Sequence, residues 1–218
     1  YPTGLAYEKR RSQDAADFLG HVWQELGIPQ YTQVDNEGCF SGGTTHTHVL
    51  GKVIRLALTV GTELVFSPVY HPQSNGTIER FHQDYDQHVW QGTYLSNLAD
   101  VNQQGQSFFT CYRQREDHSQ LNDYSPADLH HAQASHKRDI DFPLVSQKMP
   151  LREGCVHFMR KVSQAGTIRV LNTNWTVPQF DQTKGVWATL ELKVEGATLF
   201  IYDEAPDVTK RRCLAAYP

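Results

Sequence analysis

Two acidic residues of this sequence stand where they could serve phosphoryl-transfer chemistry, Asp35 at the end of a predicted strand and Glu79 within a predicted helix. Carboxylates that converge from a strand end and a nearby helix can hold Mg²⁺, since this hard cation prefers carboxylate oxygen and usually keeps several waters. Pairs of such ions activate the attacking oxygen and stabilise the leaving oxygen in phosphoryl transfer. The chain has 24 acidic residues, most of which are expected at a solvated surface, so residue type and spacing alone do not distinguish these two.

The residues around the two acids form a more specific pattern. Residues 27–29 read Gly-Ile-Pro, residues 34–37 read Val-Asp-Asn-Glu, and residues 71–82 read His-Pro-Gln-Ser-Asn-Gly-Thr-Ile-Glu-Arg-Phe-His. Farther on, residues 112–118 read Tyr-Arg-Gln-Arg-Glu-Asp-His, and residues 125–127 read Ser-Pro-Ala. Over roughly residues 4–132 the sequence resembles the integrase core of bacterial insertion-sequence transposases and retroviral integrases, and the run at 71–82 is the most specific part of the match.

The resemblance implies a ribonuclease-H-like α/β fold in which three acids, Asp, Asp and Glu, hold two metal ions for DNA strand nicking and strand transfer. On this mapping Asp35 is the second acid and Glu79 the third, with Mg²⁺ or Mn²⁺ as the cofactor. The family also implies DNA as the partner, both element ends and target, as expected of a mobile element. A homo-oligomer on DNA is implied as well, because cutting and joining two ends needs at least two active sites.

Two departures from the family pattern qualify the mapping. The family's leading Asp lies on an early strand, and here only Leu5–Glu8 could form a strand before the first helix, so we expect an N-terminally truncated core that is inactive alone. Asp14 and Asp17 lie within that helix and are expected to be solvated. Glu79 follows Asp35 by 44 residues, about eight more than the family's usual interval; the surplus is expected at 38–48, where a loop insertion costs little.

The elements that must position the two acids follow from hydrophobic spacing. A helix is predicted from Ser12 to Leu26, followed by a strand at 31–34 that places Asp35 at its carboxyl end, where open α/β sheets present functional groups. A helix at about 49–60, a strand at 63–67 and a helix capped by Ser74 come next. Further helices are predicted at 97–114 and from Ser125 onward. Two buried stripes are predicted, Ala15, Phe18, Leu19, Val22 and Leu26 on the first helix, and Ile78, Phe81, Tyr85 and Val89 on the helix that carries Glu79.

The remaining third of the chain has a different pattern of polar and apolar residues. Residues 133–150 lack periodicity and are interpreted as a linker, and alternating segments predict strands at 155–162, 167–171, 186–194 and 198–202. We therefore expect three parts: an integrase-like core at 1–132, the linker at 133–150, and a small all-β barrel at 151–218. Such barrels follow the core in integrases and related transposases, where they bind DNA or help assembly.

Candidate DNA contacts come from polar and basic residues near these features. They are Asn36, Gln73, Asn75, Arg80 and Gln83 around the acids, and Arg160, Lys161, Arg211 and Arg212 in the terminal unit, where Arg169 and Lys210 could add to them. An Asx turn is an equal alternative for Asn36, and ordinary solvation is nearly as good an explanation for the others. Trp175 and Trp187 fit core packing better than a contact with a neighbour.

Composition limits the remaining possibilities. The net charge of −4 argues mildly against a nucleic-acid partner, although residues 151–218 carry 9 Lys and Arg against 7 Asp and Glu.

The four cysteines lack zinc or disulfide spacing and are expected to be reduced and buried. A zinc site at His46, His48 and Cys39 is not expected, because these residues lack a second ligand pair. With no long apolar run or signal pattern, we expect a cytoplasmic protein without a membrane partner, nucleoid-associated if bacterial.

Two other functions stay open on the sequence alone. One is a non-catalytic DNA-binding or assembly protein derived from a transposase. The other keeps the fold but hydrolyses nucleic acid without joining it.

Overall fold

The fold is described by a computed structural model, which covers residues 1–43, 46–68, 76–115, 121–122, 124–132, 148–178 and 185–218. Helices and strands alternate in the first part of the chain, and strands dominate the last. The helices are α1 (Ser12–Leu26), α2 (Gly38–Ser41), α3 (Lys52–Val60), α4 (Gly76–Tyr85), α5 (Leu98–Arg113) and α6 (Pro126–Ala132). The strands are β1 (Tyr31–Val34), β2 (Glu63–Phe66), β3 (Gly154–Lys161), β4 (Thr167–Val170), β5 (Thr173–Thr176), β6 (Gly185–Lys193), β7 (Gly196–Tyr202) and β8 (Cys213–Tyr217).

Six strands form one sheet in the order β1-β2-β3-β6-β7-β8, and β4 and β5 form a separate hairpin. Strands β1, β2 and β3 are parallel, whereas β6, β7 and β8 add in antiparallel fashion. The mixed α/β class predicted from the sequence is thus confirmed. The ribonuclease-H-like arrangement and a closed terminal barrel stay predictions, since the described strands form an open sheet and a hairpin.

The pairing of β2 with β3 joins the two ends of the chain. Phe66 lies opposite Phe158 in this register, and their rings stack with centroids 4.8 Å apart. Both side chains are buried, in a row that continues through Val34, Ala188 and Ile201. One hydrophobic cluster therefore includes residues from before and after the predicted linker. The division into parts at 133–150 stays a prediction, and 133–147 lie outside the described residues.

Helix α1 has the predicted bounds but a rotated buried face. Ala16, Leu19 and Trp23 are buried, whereas Phe18 and Val22 are only partly so. The predicted stripe was therefore off by about one position, because α1 packs against α2 and α3, while Phe18 and Val22 line a cleft. Asp14 is buried rather than solvated: it completes a capping box, accepting from the backbone N–H and guanidinium of Arg11 at 3.2 and 2.9 Å. That guanidinium lowers the pKa of the Asp14 carboxyl.

The residues before α1 do not form the strand expected at Leu5–Glu8. Instead, polar side chains of α5 hold their backbone. The Asn102 amide accepts from the N–H of Ala6 at 2.7 Å and donates to its carbonyl at 3.2 Å, and Gln106 donates to the carbonyl of Gly4 at 3.0 Å. Arg113 adds a 2.7 Å bond to the carbonyl of Pro2. Helix α5 thus supplies the backbone partners that a neighbouring strand would otherwise provide.

Helix α4 packs on α5 through aromatic side chains. Phe81 and Tyr85 contact Phe108 and Phe109 with ring centroids between 5.4 and 6.1 Å apart. Ile78, predicted to be part of the buried stripe, is 53% exposed, so that prediction was wrong at the first turn of α4. A π-helical segment, Asp86–Trp90, extends the helix and buries Val89 as predicted.

The loop after α2 is attached to the β4–β5 hairpin. Asn172, at the hairpin turn, donates to the carbonyls of Gly43 and His46 at 3.2 and 2.9 Å. The His48 N–H donates to the carbonyl of Leu171 at 3.1 Å, and the His48 ring bonds the Thr173 hydroxyl at 3.0 Å. The segment in which the surplus of residues was expected is therefore a contact between the first and last parts of the chain.

The C-terminal strands β5 and β8 were not predicted from the sequence. Polar and apolar residues alternate only weakly in these two strands, which are defined by their pairing with β4 and β7.

The prediction that the tryptophans pack in the core holds only in part, since Trp175 packs on the edge of the core beside Tyr217. All four cysteines are free thiols, but Cys111 and Cys213 are exposed, so the expectation that all would be buried was wrong.

We predict that Phe158→Ala lowers the free energy of unfolding by about 3–5 kcal/mol, because it removes a fully buried ring from the β2–β3 junction. Far-UV and near-UV circular dichroism during urea unfolding should give one coincident transition for the unsubstituted protein, since both parts of the chain share the core.

The matched control is Tyr94→Ala, because Tyr94 is 89% exposed. Its effect should stay within about 0.5 kcal/mol. Two separate transitions, or equal effects of the two substitutions, would contradict the shared core.

Candidate functional site

Asp35 follows the last residue of β1, at the carboxyl edge of the parallel strands β1 and β2. Its Oδ1 accepts the backbone N–H of Glu37 at 2.9 Å, which forms an Asx turn. Glu37 in turn binds Arg10, with its Oε1 2.8 Å from Nη1. Asp35 is exposed, so its second oxygen can accept a ligand from solvent.

Asn36 ties the ends of the two strands together. Its Nδ2 donates to the carbonyl of Ser67 at 2.6 Å, and the Ser67 hydroxyl donates to the carbonyl of Val34 at 3.1 Å. The Asn36 Oδ1 is buried and has no hydrogen-bond partner within the described structure. The Asx turn considered for Asn36 belongs to Asp35, and the Asn36 side chain acts between β1 and β2. Its contact with DNA stays a prediction.

Glu79 lies in the first turn of α4 and is exposed. Arg80 is also exposed and lies near Asp84, with 3.7 Å between Nε and Oδ1, and Gln83 is exposed one turn beyond Glu79. Gln73 and Asn75 were predicted as DNA contacts, but they lie outside the described residues, as does the helix cap predicted at Ser74. The outward orientation of Glu79 leaves its carboxylate available to a ligand.

The donor chemistry of Asp35 and Glu79 fits Mg²⁺ or Mn²⁺, which take carboxylate oxygens and complete their coordination with water. Within the described ranges there is no group of three or more His, Cys, Asp or Glu residues that could hold a metal ion. Asp35 and Glu79 are each exposed and accessible to a ligand. Their convergence on one ion stays a proposal.

The basic residues predicted to bind DNA have different environments. Lys161 is exposed, whereas Arg160 is largely buried and bonds only carbonyl oxygens. Arg211 lies over the Tyr202 ring, 3.9 Å from its centroid. Arg212 is exposed and 3.5 Å from an Asp203 carboxylate oxygen.

A row of hydrogen-bonded polar side chains, on the face of the sheet opposite Phe158, was not predicted from the sequence. The Nε2 of His157 lies 2.6 Å from Oε2 of Glu63, and its Nδ1 lies 3.0 Å from the Thr189 hydroxyl. Arg211 donates to the same hydroxyl at 3.3 Å. The Glu63 carboxylate only accepts, so His157 Nε2 donates to it, and in a neutral imidazole Nδ1 then accepts from the Thr189 hydroxyl, which itself accepts from Arg211. A neutral imidazole protonated on Nε2 satisfies this order.

Burial lowers the pKa of His157, and the hydrogen bond to Glu63 opposes this effect without cancelling it. Tyr31 packs edge-on against the imidazole, with ring centroids 6.0 Å apart. The sequence carried only a weak signal for this site, a His between the core residues Val156 and Phe158. Identifying its partners requires the register of β2, β3 and β6.

A cleft of about 470 Å³ separates α1 from α5. Thr3 and Glu25 line it, and the Thr3 hydroxyl donates to the Glu25 carboxylate at 3.1 Å. Neither Asp35 nor Glu79 lines this cleft. The cleft is therefore separate from the candidate site.

Among the helices of the described residues, none has the length and apolar character that a membrane span requires.

We predict that acid destabilises the protein through His157. Because its pKa is lowered in the folded state, the unfolded chain binds a proton first as the pH falls below about 6.5, and the free energy of unfolding then decreases. Urea unfolding between about pH 7.5 and pH 5 should show this loss, and His157→Gln should reduce it.

His46→Gln is the matched control, since His46 is exposed and only its backbone carbonyl has a hydrogen bond in the described structure. This variant should retain the pH dependence of the unsubstituted protein. A slope that is unchanged in His157→Gln would show that another group causes the acid destabilisation.

Comparison with protein families adds a finding independent of this geometry. Residues 60–126 match the integrase core domain family. The matched segment begins just before β2, includes α4 with Glu79 as well as α5, and ends at the start of α6. Asp35 and the strands from β3 onward lie outside it. The resemblance to the integrase core seen in the sequence is thus confirmed for residues 60–126.

Proposed function

We propose that this chain is part of a transposase or integrase that cleaves DNA and transfers the cut strand by metal-dependent phosphoryl transfer. The observation that carries the proposal is the position of Asp35. It is an exposed carboxylate at the carboxyl edge of parallel β1 and β2, next to the segment that matches the integrase core domain and contains Glu79. Open α/β sheets bind their ligands at this edge.

In this mechanism Asp35 and Glu79 would hold Mg²⁺ or Mn²⁺ through their carboxylate oxygens. The ions supply charge stabilisation for the attacking and leaving oxygens of the phosphodiester. The Glu37 N–H fixes one oxygen of Asp35, and the bond from Asn36 to Ser67 holds the strand end from which Asp35 projects. Together these contacts reduce the rotamer freedom that Asp35 would lose on binding a ligand.

The reaction is displacement at phosphorus. A water attacks in strand nicking, and a DNA 3′-hydroxyl attacks in strand transfer; a new P–O bond forms while the bond to the leaving 3′-oxygen breaks. The attacking oxygen loses its proton to solvent, and the leaving oxygen is protonated. DNA is the proposed partner, and a homo-oligomer would bring two such sites to two DNA ends. Arg80, Gln83, Lys161, Arg211 and Arg212 stay proposals as DNA contacts.

A second candidate is a non-catalytic DNA-binding or assembly protein. It is favoured by the absence, within the described ranges, of a metal-binding group of three or more acidic, His or Cys residues. This protein would bind duplex ends without cleaving them. A nuclease that does not join strands would give nicked products only.

We predict that, in the complete protein, Asp35→Asn and Glu79→Gln each reduce Mg²⁺-dependent nicking and strand transfer on labelled duplex ends by about 10³-fold or more, because an amide cannot replace an anionic metal ligand. Both products should also disappear when EDTA removes the metal.

Asp86→Asn is the matched control, because it neutralises another exposed carboxylate, in the π-helical extension of α4. It should leave both activities within about twofold. Cleavage that survives both Asp35→Asn and Glu79→Gln would overturn the assignment. DNA binding with no cleavage by the unsubstituted complete protein would favour the second candidate.

A further inference from the structure

Arg160 is a largely buried cation with no carboxylate partner among the described residues. Its Nε donates to the carbonyl of Arg169 at 3.0 Å, and its Nη1 donates to the carbonyls of Met159 and Ser67 at 2.8 and 3.4 Å. The guanidinium carbon lies 5.2 Å from the centre of the Phe158 ring. No carboxylate among the described residues pairs with it, unlike the guanidinium groups of Arg10 and Arg11.

Burial without a counter-ion lowers the pKa of Arg160 to about 10. The side chain therefore remains charged at neutral pH, and its charge is only partly stabilised by carbonyl dipoles. A buried charge without an ionic partner is unfavourable, and an anion that approached it would gain a charge-assisted hydrogen bond. Nη2 makes no hydrogen bond within the described structure, so this nitrogen has donors to offer.

The position of Arg160 links it to the candidate site. Arg160 Nη1 and Asn36 Nδ2 both donate to the carbonyl of Ser67, at 3.4 and 2.6 Å. Asn36 directly follows Asp35 in the chain. Arg160, near the end of β3, thus lies at the same sheet edge as Asp35, one strand beyond β2.

Two exposed cations accompany Arg160 at this edge. Lys161 is the last residue of β3, and Arg169 lies in β4 with its carbonyl bound by Arg160. Both side chains are exposed. The hairpin that contains Arg169 is in turn fixed to the loop after Asp35 through Asn172. These contacts hold three positive charges, one buried and two exposed, beside the strand end that presents Asp35.

We infer that Arg160 binds a phosphate group of the DNA backbone at this edge, with Lys161 and Arg169 contacting flanking phosphates. The ligand is a phosphodiester because it supplies the missing negative charge and paired oxygen acceptors that fit a guanidinium. This inference rests on the proposed function for the identity of the ligand as DNA. It adds that β3, outside the matched integrase segment, contributes to the same site.

The test measures binding in EDTA, so that it does not depend on catalysis. Fluorescence anisotropy of a labelled duplex is recorded at several salt concentrations for the complete protein and for Arg160→Met, which keeps an apolar stem over Phe158. The slope of log K against log salt should become less steep by about 0.9 in Arg160→Met, the effect of losing one phosphate contact.

Arg152→Met is the matched control. Arg152 is exposed and precedes β3, whereas Arg160 lies near the opposite end of that strand. Its slope should equal that of the unsubstituted protein. A slope that is unchanged in folded Arg160→Met, or that changes equally in both variants, would overturn the inference.

A second measurement uses the unsubstituted protein and does not depend on the variant folding. Replacing chloride by sulfate at equal ionic strength should shift the Arg160 Nε–Hε NMR signal and raise Tm, since an anion that binds only the folded state stabilises it. The absence of both effects would count against the site. DNA cleavage that depends on Asp35 but not on Arg160 would remove this inference alone. Anion binding at Arg160 without Asp35-dependent cleavage would instead remove the proposed function.

Discussion

The parallel pairing of β2 with β3 is the interaction on which the rest of the structure depends. It places Phe66 against Phe158 and thereby continues the short β1–β2 sheet into four strands from the end of the chain. Two parallel strands of four residues each would bury little surface by themselves. The added strands extend the sheet, and α1 and α3 contribute to the same core. Residues more than a hundred positions away thus support the sheet whose strand end holds Asp35.

Local patterns predicted the longer helices, but neither the short helix α2 nor which sides the helices bury. The bounds of α1 follow from periodicity and from Gly27 at its end, so the sequence indicated them directly, whereas α5 was predicted at 97–114 from a stretch with little periodicity. The rotation of the buried face of α1 and the exposure of Ile78 depend on partners that come from elsewhere in the fold. Strands β5 and β8 are defined by pairing rather than by alternation, which is why their sequences were not distinctive.

The candidate site, too, was predicted only in part from the sequence. Asp35 and Glu79 could be found because a contiguous motif surrounds each of them. The shared carbonyl of Ser67, which connects Asn36 with Arg160, combines three separate segments and has no sequence signature. The same holds for the chain from Arg211 to Glu63, in which every member comes from a different part of the protein. Polar networks of this kind are specified by register, and register was the quantity that the sequence did not provide.

The attachment of Asn172 to the carbonyls of Gly43 and His46 changes how the long interval between the two acids should be understood. An unattached insertion of that length would leave the strand end of β1 free to fluctuate with it. Here the same residues connect the segment after β1 with the β4–β5 hairpin. A ligand that displaces the hairpin would therefore shift the backbone that follows Asp35, and contact with the C-terminal part of the chain could be sensed at the carboxylate.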